Sequence, residues 1–438
     1  MAGRDVAKLL WIPSALFLAF LAGMADSHYR LWPSGTLQSV VRSGRELATD
    51  WRGYLGFRPS RLLLHPARSS GTGVTNYRAG QADNGLTLIS GLFDNQIGIV
   101  LIDMHGTVVN RWSPRYNAIF PSPDHVIPRK DRPNSRWGYA IHDANAFEDG
   151  SVVFNFEYLG MVKMDRCGNV VWTVPQMTHH LFSQSEDGTF WVLSRRYRDT
   201  DSGDHEAVRT PFFDDTILQV TPDGRVVREI EFLDVIAKGG LQALLADPGL
   251  FSPIEGGAFT SLDPVHLNDV EVFSVENAIP ALGIRPGDLL VSSRQLNLLI
   301  VFDPSTLETR WWQSGPWLRQ HDPDILPGGR LSLFNNNTGL GPSTIMAVDL
   351  LTRRTNVLYP PEDGAPFFSA AMGAHQHLPN GNLLITDPQA GRVFEVTPAA
   401  ETVWEYINRY DPNTVADVSV ATRYPSGFFK VTGWSCSS

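Results

Sequence analysis

The chain has 438 residues, 42% of them hydrophobic, with 12 Trp, 38 Gly and 30 Pro. That length allows one large all-β domain or two or three ordinary ones, and the aromatic content favours strands over helices. A net charge of -10 with no basic run argues against nucleic acid as a partner.

The N-terminus opens with Arg4 and Lys8, then the apolar run Leu9 to Ala25. Its length lies between a signal-peptide core and a short membrane span. Gly23 and Ala25 are small enough for cleavage before Asp26. The basic flank comes first, so the N-terminus should stay inside and the rest should cross. The expectation for residues 1–30 is an uncleaved signal-anchor, with cleavage after Ala25 as the alternative; a buried core helix is the bland one. The remainder would then lie outside the cytoplasm, periplasmic or extracellular, and would be secreted if cleaved. From Thr36 to Leu55, the residues Leu37, Val40, Val41, Leu47, Trp51 and Tyr54 fall at near-helical spacing. They read as a stem helix or a helix packed under the domain. Residues 56–84 carry Pro, Gly, Ser and Arg without period and read as a connection, so 31–84 is stem and connection.

From residue 85 the chain repeats. One half of the repeat is a hairpin whose second strand often holds Trp, as in LIDMHGTVVNRW (101–112), MVKMDRCGNVVW (161–172) and LIVFDPSTLETRWW (299–312). Six copies occur, the others at 217–230, 345–358 and 393–406. The other half is a strand, an Asp-Gly, Gly-Gly or Asn-Gly turn, and another strand, as in ANAFEDGSVVFNF (144–156) and DPDILPGGRLSLF (322–334). Two hairpins in series make a four-stranded meander. Six meanders predict an all-β chain, a six-bladed β-propeller over 85–438, with seven blades or two β domains as alternatives. A helical insertion is expected between Ile230 and Asp263. The tail VADVSVATRYPSGFF offers a strand to close the ring on the first blade.

Histidines open these units. His142 is followed by Gly150, His180 by Gly188 and His321 by Gly329, each eight positions on. His266 opens the long fourth unit, and GAHQHLPNG carries His375 and His377 at a slightly later register. First strands line a propeller's channel, so these side chains should meet at its mouth. Asn268 should face the same way as His266, and Arg294 can bring a fixed charge to the group. Asp143, Asp269 and Asp322 each follow a residue of this set and are expected to point away, as strand-end or turn acceptors. Imidazoles with an Arg and an Asn suit an anionic substrate. Imidazole serves as nucleophile, base or acid, and Arg and Asn hold phosphate or sulfate oxygens. The bland alternative for each is hydrogen bonding between blades. Trp172, Trp311, Trp312 and Trp404 read as packing, and Phe367 and Phe368 can flank an aromatic ring.

The motifs HLND (266–269), DLLVSSRQLNLLIVFD (288–303) and QHDPDILPGGRLSLFNNN (320–337) resemble those of the arylsulfate sulfotransferase (arylsulfotransferase, ASST) family, and QHLPNGNLLITDPQAGRVFEVTPAAETVWEY (376–406) resembles its shorter branch. The resemblance covers roughly residues 85–430. It implies a six-bladed propeller outside the cytoplasm that moves a sulfuryl group from an aryl sulfate to a phenolic acceptor. The implied route is ping-pong through a sulfohistidine, without a nucleotide sulfate donor or any cofactor. It implies His321 as nucleophile and His266, Asn268 and Arg294 as the groups that bind and polarise the sulfuryl oxygens. His180 would move the phenolic proton, with His179 as the alternative; apart from the resemblance, His142 and His375 read from their strand-opening positions as further substrate contacts.

The implied partners are a small-molecule donor and acceptor, and the membrane through the N-terminal helix. The chain departs from the long family members in lacking their separate N-terminal β domain and their close cysteine pair. Its cysteines, Cys167 and Cys436, can pair or stay free. No zinc-type Cys/His spacing occurs. Two other classes share the same residues: a metal-dependent propeller hydrolase or lyase acting on an anionic ester, and a non-catalytic membrane-tethered binding propeller. A chelator separates the first of these from the sulfohistidine route.

Overall fold

A computed structural model describes residues 63–200, 208, 210–245, 263–362 and 364–436, together with 58, 59 and five positions between 17 and 23. The stem helix and nearly all of the signal or anchor segment lie outside the described residues. Among the described residues, no helix is long and apolar enough to cross a membrane. The chain divides into one unit ending at Arg61 and a second from Leu62 to Ser438.

The second unit is all-β. Its sheets are antiparallel meanders that run in chain order. The second sheet runs from Ile141–Ala146 out to Val170–Val174, and the third from His179–Gln184 to Val226–Glu231. The fourth runs from Leu267–Val272 to Thr309–Ser314, and the fifth from His321–Leu326 to Thr355–Tyr359. The sixth begins at Ala374–His377 and ends at Thr402–Ile407, to which Gly73–Tyr77 adds an outermost fifth strand. In the first sheet the inner strand is the C-terminal Val418–Pro425, paired with Gly85–Phe93 from Gly91 down to Gly85. The tail therefore supplies the closing strand expected of it. The inner strands of consecutive sheets touch, and the sixth touches the first.

Residues 73–77 belong to a sheet rather than to a plain connection. Their partner is Thr402–Ile407, hundreds of positions away, so local composition held no sign of the pairing. The short strand Leu64–Pro66 likewise pairs with Thr414–Ala416. The expected insertion begins with the helix Phe232–Lys238, which buries Phe232, Leu233, Val235 and Ile236 and stops at Gly239. Residues 246–262 are not described.

Side chains tie neighbouring sheets at the rim. Four outer-strand tryptophans each donate Nε1–H to a carbonyl in the hairpin turn of the next sheet, whereas Trp312, expected to pack, is exposed on its strand. Trp112 bonds to Asp165, Trp172 to Pro222, Trp311 to Leu350, and Trp404 of the sixth sheet to Met104 of the first. In the third sheet, whose outer strand lacks Trp, Arg228 takes over and donates to the Pro304 carbonyl. The turns are shaped for this by Asx acceptors; Asp165 receives the Cys167 and Asn169 amides. Packing is thus the role of these tryptophans, with Trp112 and Trp404 essentially fully buried.

Cys167, in that same turn, is bonded to Cys436 across 269 residues. The bond fastens the tail beyond the closing strand to the second sheet, and Trp434 of that tail meets Trp112 of the first sheet edge-on at 6.2 Å. Cys436→Ser should lower unfolding free energy by about 2–5 kcal/mol, because it frees a very long loop in the unfolded chain. Urea unfolding of the variant beside the oxidised and reduced wild type measures this.

Candidate active site

The site arises where the inner strands begin. The pairing of inner with second strand shifts between Ile141 and Ala144, between His179 and Phe182, between Leu267 and Asp269, and between His321 and Asp324. Such a bulge re-aims the residues beside it. His180, His266 and Asp322 sit in the left-handed region there, at φ of +54°, +47° and +51°. Each such conformation costs a non-glycine residue about 1–3 kcal/mol. Its clustering marks these strand starts as built for purpose.

The bulges gather four imidazoles. The His180 ring lies 4.3 Å from His142, 5.0 Å from His266 and 6.4 Å from His321, centroid to centroid. His180, not His179, is the member facing the cluster. His179 turns to Tyr158 at 4.9 Å and towards Asp215, and its Nδ1 bonds that of His180 at 2.8 Å. His142, His180 and His321 are almost wholly buried. Burial, with neighbouring imidazoles beside it, holds His180 well below the ordinary histidine range. Burial followed by the Arg294 charge does the same to His321, against the opposing Asn336 bond.

His321 is fixed in one tautomer. Its Nδ1 lies 2.6 Å from Asn336 Oδ1 and 3.1 Å from the Arg319 carbonyl. The Asn336 amide donates to the Ser369 carbonyl at 3.0 Å and to that of Met372 at 2.6 Å. With its NH2 committed, Asn336 presents oxygen to the ring, so His321 carries its proton on Nδ1 and its lone pair on Nε2.

Other members line up around this group. His266 Nδ1 bonds Asp263 Oδ2. Against its burial, that carboxyl is held well below the usual range by His266 and the nearby arginines. The Arg294 amide donates to the His266 carbonyl at 2.9 Å, and its guanidinium charge is felt by both His266 and His321. Glu157 Oε1 is 3.6 Å from His142 Nδ1. His142, Glu157 and His180 place one donor atom each within 4.8 Å of one another, close enough to share a cation.

Two sequence-predicted residues sit differently. Asn268 donates to the Gln320 carbonyl at 2.6 Å, and the Gln320 amide is in turn held by Ser292 Oγ and the Ser293 carbonyl. Asn268 therefore braces the strand that carries His321, the inter-sheet role weighed against oxyanion binding. His375 is not brought to the cluster. Its strand pairs without a bulge, and its ring lies 2.7 Å from Asp322 Oδ2 through Nδ1 and 2.7 Å from Ser332 Oγ through Nε2. The aspartates turn sideways as acceptors: Asp143 takes the Phe182 amide and Asp322 that of His375, each in the next sheet.

Glu157, Asn336, Asp263, Tyr158 and Arg195 were not singled out from sequence. Arg195 stacks over Tyr158 at 3.5 Å and Phe213 at 3.8 Å. A signal for two of them exists. Glu157, Arg294 and Asn336 each directly follow the second strand of their sheet, so Arg294 pointed to the other two. Phe367 lines a cavity of about 720 Å³ with Phe368, Arg68 and Arg392, and its lining shares no residue with the imidazole cluster.

No curated protein matches the sequence. Among solved structures, the chain is similar to a protein of unknown function from Bacteroides caccae at 13% identity, over 76% of this chain and 99% of that one, with a TM-score of 0.45. It is similar to virginiamycin B lyase from Staphylococcus aureus at 12% identity, over 77% and 89%, with a TM-score of 0.40. It is also similar to TolB from Acinetobacter baumannii at 9% identity, over 80% and 68%, with a TM-score of 0.41. The sequence profile of the arylsulfotransferase (ASST) family matches residues 143–409, more than half of the chain and all of the imidazole cluster but His142, and the chain belongs to that family.

Proposed function

We propose that this protein is an aryl-sulfate sulfotransferase that works by a ping-pong route through a sulfohistidine on His321, without a nucleotide sulfate donor. The observation that carries the reading is the single tautomer of His321, whose free Nε2 lone pair belongs to the ring that contacts His180. An imidazole held neutral by burial and Arg294 is a nucleophile at neutral pH. In the first half-reaction Nε2 attacks sulfur and the sulfur–aryl oxygen bond breaks, its electron pair leaving on the phenolate oxygen. Arg294 and His266, supported by Asp263, hold the sulfuryl oxygens as charge shifts.

His180 hands the phenolate a proton and takes one back from the acceptor phenol. That phenol's oxygen attacks sulfur, the sulfur–Nε2 bond breaks and its pair returns to the ring. The empty site disfavours a protonated His180, and an aryl sulfate anion among the rings supplies the countercharge that admits the proton. His142 and Glu157 adjoin His180 as the relay's outer end.

The six consecutive meanders, the inner-strand ring and the closing C-terminal strand support six blades of one propeller as the catalytic domain. The Cys167–Cys436 bond and the N-terminal apolar run support a location outside the cytoplasm, tethered by residues 1–30 or released after Ala25.

A second reading, a metal-dependent hydrolase or lyase, has the His142, Glu157 and His180 donors in its favour. A phenol burst from an aryl sulfate that survives a chelator supports the sulfohistidine; loss of the burst on metal removal supports the metal. The pH dependence is a further test. His321 must be neutral to attack, and its proton affinity is depressed, so the neutral form persists as pH falls through the ordinary histidine range. Pre-steady-state burst rates should therefore stay level from about pH 8 down past the unperturbed value of about 6.5 and fall only in more acid solution.

A further inference from the structure

A second cluster lies on the inner strands and takes no part in the chemistry above. Asp322 and Asp324 come from His321–Leu326, His375 from Ala374–His377, and Asp269 and Glu271 from Leu267–Val272. The donor atoms of Asp322, Asp324 and His375 all fall within 4.8 Å of one another. The His375 ring stands between the two carboxylates, with Asp322 Oδ2 2.7 Å from Nδ1 and Asp324 Oδ2 3.4 Å from Nε2, and Ser332 Oγ lies 2.7 Å from Nε2. Two neighbouring donors on an octahedral ion with bonds of about 2.1–2.4 Å are about 3.0–3.4 Å apart.

An independent observation points the same way. Asp269 is only 1% exposed, and its Oδ1 has no hydrogen-bond partner. The largest charge effects on this carboxyl come from Glu271, Asp322, Asp324 and Asp143, all of one sign. Burying a charge without a partner is costly, and repulsion among five carboxyls adds to the cost. Burial and these neighbours raise Asp269 and Glu271 well above the usual carboxylate range, and Asp324 to about 7. One positive ion in their midst relieves the whole group.

We propose that Asp322, Asp324 and His375, with Asp269 as a further oxygen donor, form a site for one hard divalent cation that joins the inner strands of the fourth, fifth and sixth sheets. Carboxylate oxygens dominate the set, which selects ions of the calcium, magnesium and manganese class, and the imidazole favours manganese among them. The role is to pin three separate inner strands, among them the one that carries His321. It does not depend on sulfuryl transfer.

The test uses the full-length protein, stripped with EDTA and dialysed. Mn2+ and Ca2+ are titrated separately by calorimetry, and melting is followed with and without each ion. The expected result is one ion per chain for at least one of the two, with a rise in Tm of several degrees at about 100 times Kd. Asp324→Asn and Asp269→Asn should each weaken binding at least about tenfold and should melt higher than wild type in EDTA, since each removes a repelling charge. Absence of binding to the wild type by either ion up to millimolar concentration overturns the proposal. Unchanged affinity in both variants overturns it as well. The wild-type titration decides the matter even if a variant fails to fold.

Discussion

His321→Ala is expected to lower phenol release from an aryl sulfate by about 10⁴- to 10⁶-fold, the scale seen when a covalent nucleophile is removed. The side chain is buried and makes its main contacts through Nδ1, to Asn336 and the Arg319 carbonyl. Its loss leaves the Asn336 oxygen without a partner, at about 1–3 kcal/mol of stability. The Asn336 amide keeps both of its carbonyls, so the fold should survive, as a melting curve will show. A structural histidine would give the opposite pattern, with stability lost and turnover in the surviving fraction kept. Rate per folded molecule is therefore the quantity to compare.

Arg294→Gln is the second large effect. Gln keeps a donor but drops the charge and two atoms of reach, so the developing sulfuryl oxygens lose their fixed cation. Removal of one such donor typically costs about 10²- to 10³-fold in kcat. The substitution carries a second signature. The Arg294 charge lowers the proton affinity of His321 and of His266. Without it both rise, so more of His321 is protonated at a given acid pH, and the acid limb of the rate profile should move to higher pH. A residue that merely tied sheets together would lower stability and leave the profile in place.

Much of this could be read before the structure, and the gaps have physical causes. The meanders were legible because Asp-Gly and Gly-Gly turns recur between alternating runs. The histidines were legible because they open those runs. What alternation cannot supply is the direction of a side chain at a bulge, where the period of two breaks. His142, His180 and His321 sit at bulged strand starts and converge; His375 opens a regular strand and turns to Asp322 and Ser332 instead. Asn268 matched its motif, yet its amide donates to the Gln320 backbone.

Asn336 lies in the run Asn335 to Asn337, but its value rests on the carbonyls of Ser369 and Met372 more than 30 positions on. Glu157 was hidden for want of an alignment of second-strand ends, where it matches Arg294. The disulfide and the strand Gly73–Tyr77 involve partners far along the chain, and local pattern carries no trace of them.

The most direct measurement is the intact mass of the protein mixed with a chromogenic aryl sulfate, with no acceptor present, taken beside the time course of phenol release. One sulfuryl group added per chain, located on His321 by peptide mapping, formed in step with a phenol burst and discharged by a phenol, is the expected result. Phenol released in many turnovers with no adduct at any time would contradict a covalent route and assign the imidazole cluster to direct or metal-assisted transfer.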